Sequence, residues 1–251
     1  MADEKIPFTS HLEELRKRII ICLVAVAAGF ALSYSFAENI FALLVKPLKD
    51  QLPSESWLIF TGLTEAFVVY LKLAFYAGLI LASPVILWEV WCFVAPGLYD
   101  HEKKYVFPFV ISASLLFFTG VAFCYLVVFP FSFKFFMSYS TETLKPLPAM
   151  KEYLSFAFQI LLAFGIIFEL PVFILFLAKL GLVTERMLRQ QRKFAIVIIF
   201  IVAAVLTPPD VFSQCLMAAP LLLLYEISVI VARIFGRKSA PGDAGSAKAE
   251  G

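Results

Sequence analysis

Six apolar stretches, at residues 19–36, 66–93, 106–129, 154–180, 194–206 and 211–232, leave this chain few folds to adopt. A helix needs roughly 20 apolar residues to cross a hydrocarbon core of about 30 Å. Inside that core no water reaches the backbone N–H and C=O groups, so only α-helices and closed β-barrels satisfy them. The alternation of a barrel strand is absent from these stretches, which selects a helical bundle. The hydrophobic share of 61% agrees, because soluble domains run at about 45 to 50%. The expected fold is an all-α, polytopic membrane protein with six transmembrane helices, forming a single domain over residues 1–235. Residues 236–251, rich in Gly, Ala, Ser and Pro, make an expected disordered tail.

Orientation follows from Lys and Arg, which are enriched in cytoplasmic loops near span ends. Six spans put both termini on one side. That side holds fourteen basic residues, in clusters around Arg16 to Arg18, Lys103 and Lys104, Arg186 to Lys193, and Arg233 to Lys238. The opposite side holds five: Lys46, Lys49, Lys134, Lys145 and Lys151. Both termini are therefore expected in the cytoplasm. The net charge of +2 gives no reason to expect nucleic acid. The first apolar stretch exceeds the core of about 7 to 15 residues usual in a cleavable signal, so it is read as a retained span.

The connections are uneven. Residues 37–65 have room for an interfacial helix near 38–44, which Pro47 and Pro53 are expected to break. The connection between the last two spans is only Thr207-Pro208-Pro209-Asp210, which forces a tight hairpin. Span five, 194–206, has 13 residues and at 1.5 Å per residue covers about 20 Å. Span six is expected to be interrupted by Gln214, Pro220 and Glu226, so both helices of the hairpin are read as short. The cysteines are scattered without Cys-x-x-Cys spacing and there are two histidines, so no metal or other cofactor is expected.

Three places carry charge or polarity that topology alone does not require. The loop 93–104 contains Phe93, Pro96, Gly97, Leu98, Tyr99, Asp100 and Glu102, a turn with aromatic residues to pack and carboxylates at the mouth of the next span. It could be an ordinary turn with solvated charges, or a recognition surface for a cationic ligand. The arm His11-Leu12-Glu13-Glu14-Leu15-Arg16-Lys17-Arg18 places acidic residues beside a basic flank. Glu14 with Glu102 would make an anionic patch suited to guanidinium groups, which pair with carboxylates bidentately. Glu169 lies within the fourth stretch, where a carboxylic acid costs about 2.5 to 3.5 kcal/mol to insert. It reads either as an interhelical hydrogen bond, with Gln214 or Gln159 as partner, or as a polar contact for a docking peptide. Pro171, two residues on, is expected to kink the helix.

In chain order, the arm, Pro47, Phe93-Val-Ala-Pro-Gly-Leu-Tyr with Glu102, Phe168-Glu-Leu-Pro and Leu206-Thr-Pro-Pro-Asp-Val-Phe resemble the motifs of the TatC family, the polytopic receptor subunits of twin-arginine translocases. The resemblance covers residues of about 8 to 235, and the motifs are specific as a set. It implies a concave, glove-like wall of six helices in the bacterial cytoplasmic (inner) membrane, with no enzymatic activity. It implies that Glu14 and Glu102 face the two arginines of a client's signal peptide, with Arg16, Phe93, Pro96 and Leu98 in the same site. Glu169 would be the polar residue of the concavity, and Pro47, Pro208 and Asp210 would support the outer caps. Implied partners are the twin-arginine signal peptides of folded clients, the single-span subunits TatB and TatA beside spans five and six, further copies of the chain, and membrane lipid.

Two other readings compete. A proton-coupled secondary transporter would use Glu169, with Glu89 and Glu226 as further carboxylates, although matching halves with paired broken helices are absent from the sequence. An intramembrane protease lacks a Ser/His or metal-ligand pairing within the spans.

Overall fold

A computed structural model describes residues 8–52, 58–60, 62–94, 106–139, 141, 147–207 and 210–236. These residues are nearly all helical and gather into two compact units, Met1–Ile167 and Phe168–Gly251. The predicted tail lies almost wholly outside the described residues. Among the described residues five segments are long and apolar enough to cross a membrane: Leu12–Ser35, Glu65–Phe93, Phe107–Met137, Met150–Lys179 and Val211–Phe235.

The first unit contains α1 (Phe8–Ser35), α2 (Ala37–Lys49), α3 (Glu65–Val94), α4 (Val106–Phe123), a π-helical turn at Cys124–Val128, α5 (Phe129–Met137) and α6 (Met150–Ile167). Helices α1 and α3 meet at Gly29 and Gly78, where a Cβ added to Gly29 would lie 2.5 Å from the Gly78 carbonyl oxygen. Lipid tails are as apolar as leucine, so close backbone approach through small residues is a main source of helix association in a membrane. Aromatic faces bind the rest. Tyr76 of α3 stacks on Phe158 of α6 at 4.7 Å, and Trp91 of α3 on Phe109 of α4 at 5.4 Å. Phe129 and Phe164 are fully buried.

Proline is tolerated here because its consequences are met side chain by side chain. Pro47 does not break α2, contrary to the sequence expectation; the helix runs through it to Lys49. Lacking an N–H, Pro47 leaves the Leu43 carbonyl without its helical donor, and the Tyr125 hydroxyl donates to that oxygen at 2.8 Å. Tyr153 donates to the next carbonyl, Leu44, at 2.6 Å. Pro84, inside α3, leaves the Ile80 carbonyl open, and the Ser83 hydroxyl takes it at 2.7 Å. Pro130 lies in the first turn of α5, one residue beyond the π-helical turn, a wider coil that accommodates the proline, and this span continues to Met137. At the other end, the Glu65 carboxylate accepts from the backbone N–H of Gly62 and of Lys151, tying the starts of α3 and α6 together.

The second unit contains α7 (Leu170–Lys179), α8 (Glu185–Gln190), α9 (Arg192–Leu206) and α10 (Val211–Phe235). Helix α7 ends on Gly181 at φ 76, with Gly181 N–H donating to Ala178 and Leu182 N–H to Leu177. That pair of bonds is a Schellman motif, which needs a residue comfortable at positive φ. Helix α9 has 15 residues, about 22 Å at the α-helical rise, and remains the short member of its hairpin. Helix α10 corrects the expectation of a second short helix: it runs unbroken for 25 residues through Gln214, Pro220 and Glu226. Gln214 is satisfied by the Phe200 carbonyl of α9 at 3.0 Å, and Glu226 lies near the far end, paired with Arg192 at 2.6 Å.

Candidate functional site

Glu14 sits on α1 one turn before Arg18, a spacing that brings side chains together on one helix face. The Arg18 guanidinium donates to Glu14 Oε1 through Nη2 at 2.5 Å and Nε at 3.1 Å. Its other arm reaches Glu89 Oε2 on α3 at 2.9 Å. One arginine thus bridges two carboxylates, and the three groups together carry a formal charge of −1. Accessibility falls inward, from 33% for the Glu14 side chain to 23% for Arg18 and 11% for Glu89. The carboxylate nearest solvent is therefore held by an arginine anchored against a second helix.

The register of α1 against α3 explains why these residues meet. Arg18 precedes Gly29 by eleven residues and Glu89 follows Gly78 by eleven. Along two antiparallel helices that is about 16 Å each from the same crossing. The sequence reading missed this pair, taking Arg18 as a topological charge and Glu89 as a proton-path candidate. The signal was available in principle, as one glycine in each of two neighbouring spans with equal offsets to opposite charges.

The other predicted site residues fall in different settings. Arg16 is exposed on α1, and Phe93 is half-buried at the end of α3. Pro96, Leu98, Glu102 and Pro208 lie outside the described residues, so the pairing of Glu14 with Glu102 does too. Pro47 is buried within α2. Asp210 is the N-cap of α10, its Oδ1 accepting from the Ser213 N–H at 2.7 Å, which satisfies a donor the helix start would otherwise leave open.

Glu169 occupies the two-residue interruption between α6 and α7, just before Pro171 in the first turn of α7. Its backbone carbonyl accepts from Phe173, but its side chain does not cap the helix. Oε1 is buried and meets no hydrogen-bond partner among the described residues. The amide N–H of Gln214, one partner the sequence suggested, is committed to Phe200. A cavity of about 760 Å³ opens separately in the first unit, with Lys72, Tyr76, Lys151 and Gln159 among its lining. Lys72 lies seventeen residues before Glu89 on α3, about 25 Å away along the axis, so the cavity is no part of the acidic cluster.

Comparison with known proteins supplies the family. A family model described as Sec-independent protein translocase protein (TatC) matches residues 10–220. The Sec-independent protein translocase protein TatC of Desulforapulum autotrophicum is 50% identical over 236 residues, covering 94% of this chain and 87% of that protein. Its counterpart in Escherichia coli K12 is 43% identical over 229 residues, covering 91% and 89%. A crystal structure of a twin-arginine translocase receptor, TatC, superimposes with a TM-score of 0.81 at 39% identity, covering 90% of this chain and all of that one. This all-α, multi-pass membrane chain belongs to the TatC family, whose members are components of a protein translocase and not enzymes.

Proposed function

We propose that this chain is the receptor subunit of a twin-arginine translocase in the bacterial cytoplasmic membrane, binding the twin-arginine signal peptides of folded clients at its cytoplasmic face. The observation that carries the reading is the Glu14–Arg18–Glu89 cluster at the end of α1 and α3, a net-anionic group whose outermost member is a carboxylate. Helix α3 leads in sequence into the loop bearing Pro96, Leu98 and Glu102. Two carboxylates, Glu14 and Glu102, would suit two guanidinium groups in consecutive residues, each pairing through a planar fork. Arg16, exposed on α1 two residues from Glu14, is proposed to complete the arm, with Phe93 at the end of α3 in the same site.

The single-span partners TatB and TatA are proposed to dock on α9 and α10, and further copies of the chain are proposed to join the larger complex. Phe194, Ile198, Ile201 and Val205 are all exposed, and their spacing puts them on one face of α9. A helix of 15 residues leaves bilayer thickness for a neighbour to compensate. Glu169 is proposed as a polar contact for the inserted part of a client or partner. The carrier reading loses ground because the family is a translocase component.

Binding of a labelled twin-arginine peptide to the purified protein tests the proposal. Glu102→Ala should weaken binding and Glu102→Arg abolish it while both variants still insert, because losing one partner of a charge-assisted pair costs about 2 to 5 kcal/mol when desolvated. Unchanged affinity in Glu102→Arg would overturn the assignment. For the topology, cysteine labels at Asp3 and Ser239 should react only from the cytoplasm, and those at Ser54 and Thr143 only from outside.

A further inference from the structure

We propose that Arg18 and Glu89 are positioning residues for the Glu14 carboxylate, and that they set the preference of the site for arginine over lysine. The inference rests on the receptor reading above and extends it to two residues that the motifs do not assign. Glu14 projects from a helix surface and, without a partner, would exchange among rotamers. Arg18 restrains it through Nε and Nη2, both bonded to Oε1. A long arginine side chain has considerable rotamer freedom of its own, and that freedom is removed by Nη1 bonding to Glu89, whose side chain is only 11% exposed.

Glu89 matters for charge as well as geometry. Arg18 with Glu14 alone would be a neutral pair, and an incoming guanidinium would meet a satisfied carboxylate beside a like charge. With Glu89 included the cluster is net-anionic, so Glu14 can be held and still attract a cation. Lysine could not replace Arg18 here, because one compact ammonium lacks the fork that reaches carboxylates on two helices. An oriented carboxylate favours a planar, two-bonded guanidinium over a point charge, so the selectivity between arginine and lysine reports orientation.

The test uses the full chain in lipid nanodiscs and two labelled synthetic signal peptides, one with paired arginines and one with paired lysines. Arg18→Lys, which keeps the charge, should weaken twin-arginine binding roughly three- to ten-fold and leave twin-lysine binding little changed, whereas Glu89→Gln, which also removes a charge, should weaken both peptides and the twin-arginine one more, so that the selectivity ratio falls in each. Adding Glu14→Gln to Glu89→Gln should cost the twin-arginine peptide less than the sum of the two single losses, because Glu89 acts mainly through Glu14. A preserved ratio in both single variants, or losses that add in the double variant, would overturn the inference while the receptor reading stands. A wild-type chain that binds both peptides alike would overturn both. Should Glu89→Gln fail to insert, Arg18→Lys, which keeps the charge, decides the matter with the same two peptides.

Discussion

Glu89 and Glu169 are both carboxylates set into membrane-spanning helices, and the protein treats them differently. Glu89 is the more buried, yet its charge is met by Arg18 at 2.9 Å. Glu169 sits at a helix break with Oε1 buried and no partner among the described residues. An ion pair at the edge of the bilayer is what a stable bundle needs to admit charge. A polar atom left without a partner costs free energy that packing elsewhere must offset. In this contrast Glu89 has a partner that ties α1 to α3, and Glu169 is the residue on which the proposed polar contact has to be tested.

The sharpest way to break this contrast is to remove Arg18. Arg18→Ala strands Glu89, and a buried pair that loses one member is destabilised by about 3 to 5 kcal/mol, at the low end here because the cluster is partly wet. Thermal unfolding in detergent should show a clear fall in midpoint, and an unchanged midpoint would mean that Glu89 is no more dependent on its partner than Glu169.

Glu169→Ala should do the opposite, leaving the midpoint unchanged or slightly higher while export of a folded twin-arginine client falls about tenfold, as the loss of one buried hydrogen bond to a ligand would give. Glu169→Gln keeps a polar atom in place and should export nearly as well as the wild type. A Gln variant that inserts normally but is inactive would shift the role of Glu169 from polar contact to proton transfer.

The contrast is sharpened on neutral groups by Tyr125, whose hydroxyl replaces the donor that Pro47 cannot supply. Tyr125→Phe should cost about 1 to 2 kcal/mol in the wild-type background. In a Pro47→Ala background, where residue 47 again offers an N–H, the same change should cost much less. Equal costs in the two backgrounds would show that the hydroxyl is not compensating for proline. The smallest effect is expected at Arg192 and Glu226, a pair at 2.6 Å but with side chains 44% and 48% exposed. Arg192→Ala should change stability by less than about 1 kcal/mol.

The helical membrane class was legible in residues 19–232, because the length needed to cross a bilayer is a local property of a sequence, although of the six expected spans only five are long enough to cross among the described residues, the 15-residue α9 falling short. The break at Glu169 was legible for the same reason: Pro171 forbids its own helical hydrogen bond wherever the chain folds. Pro47 and Pro220 obey that rule too, yet α2 and α10 run through them. At Pro47 the outcome depended on whether a hydroxyl from a distant helix could reach Leu43, and sequence distance carries no such information. Glu14 was singled out from its own neighbours, but that Arg18 holds it, and that Glu89 holds Arg18, depends on the crossing at Gly29 and Gly78. Composition and spacing determined that this chain is a helical membrane protein whose arm sets carboxylates beside a basic flank. Tertiary structure decided which polar groups are satisfied, because each hydrogen bond needs a second atom within about 3 Å, and only the packed helices bring that atom from elsewhere in the chain.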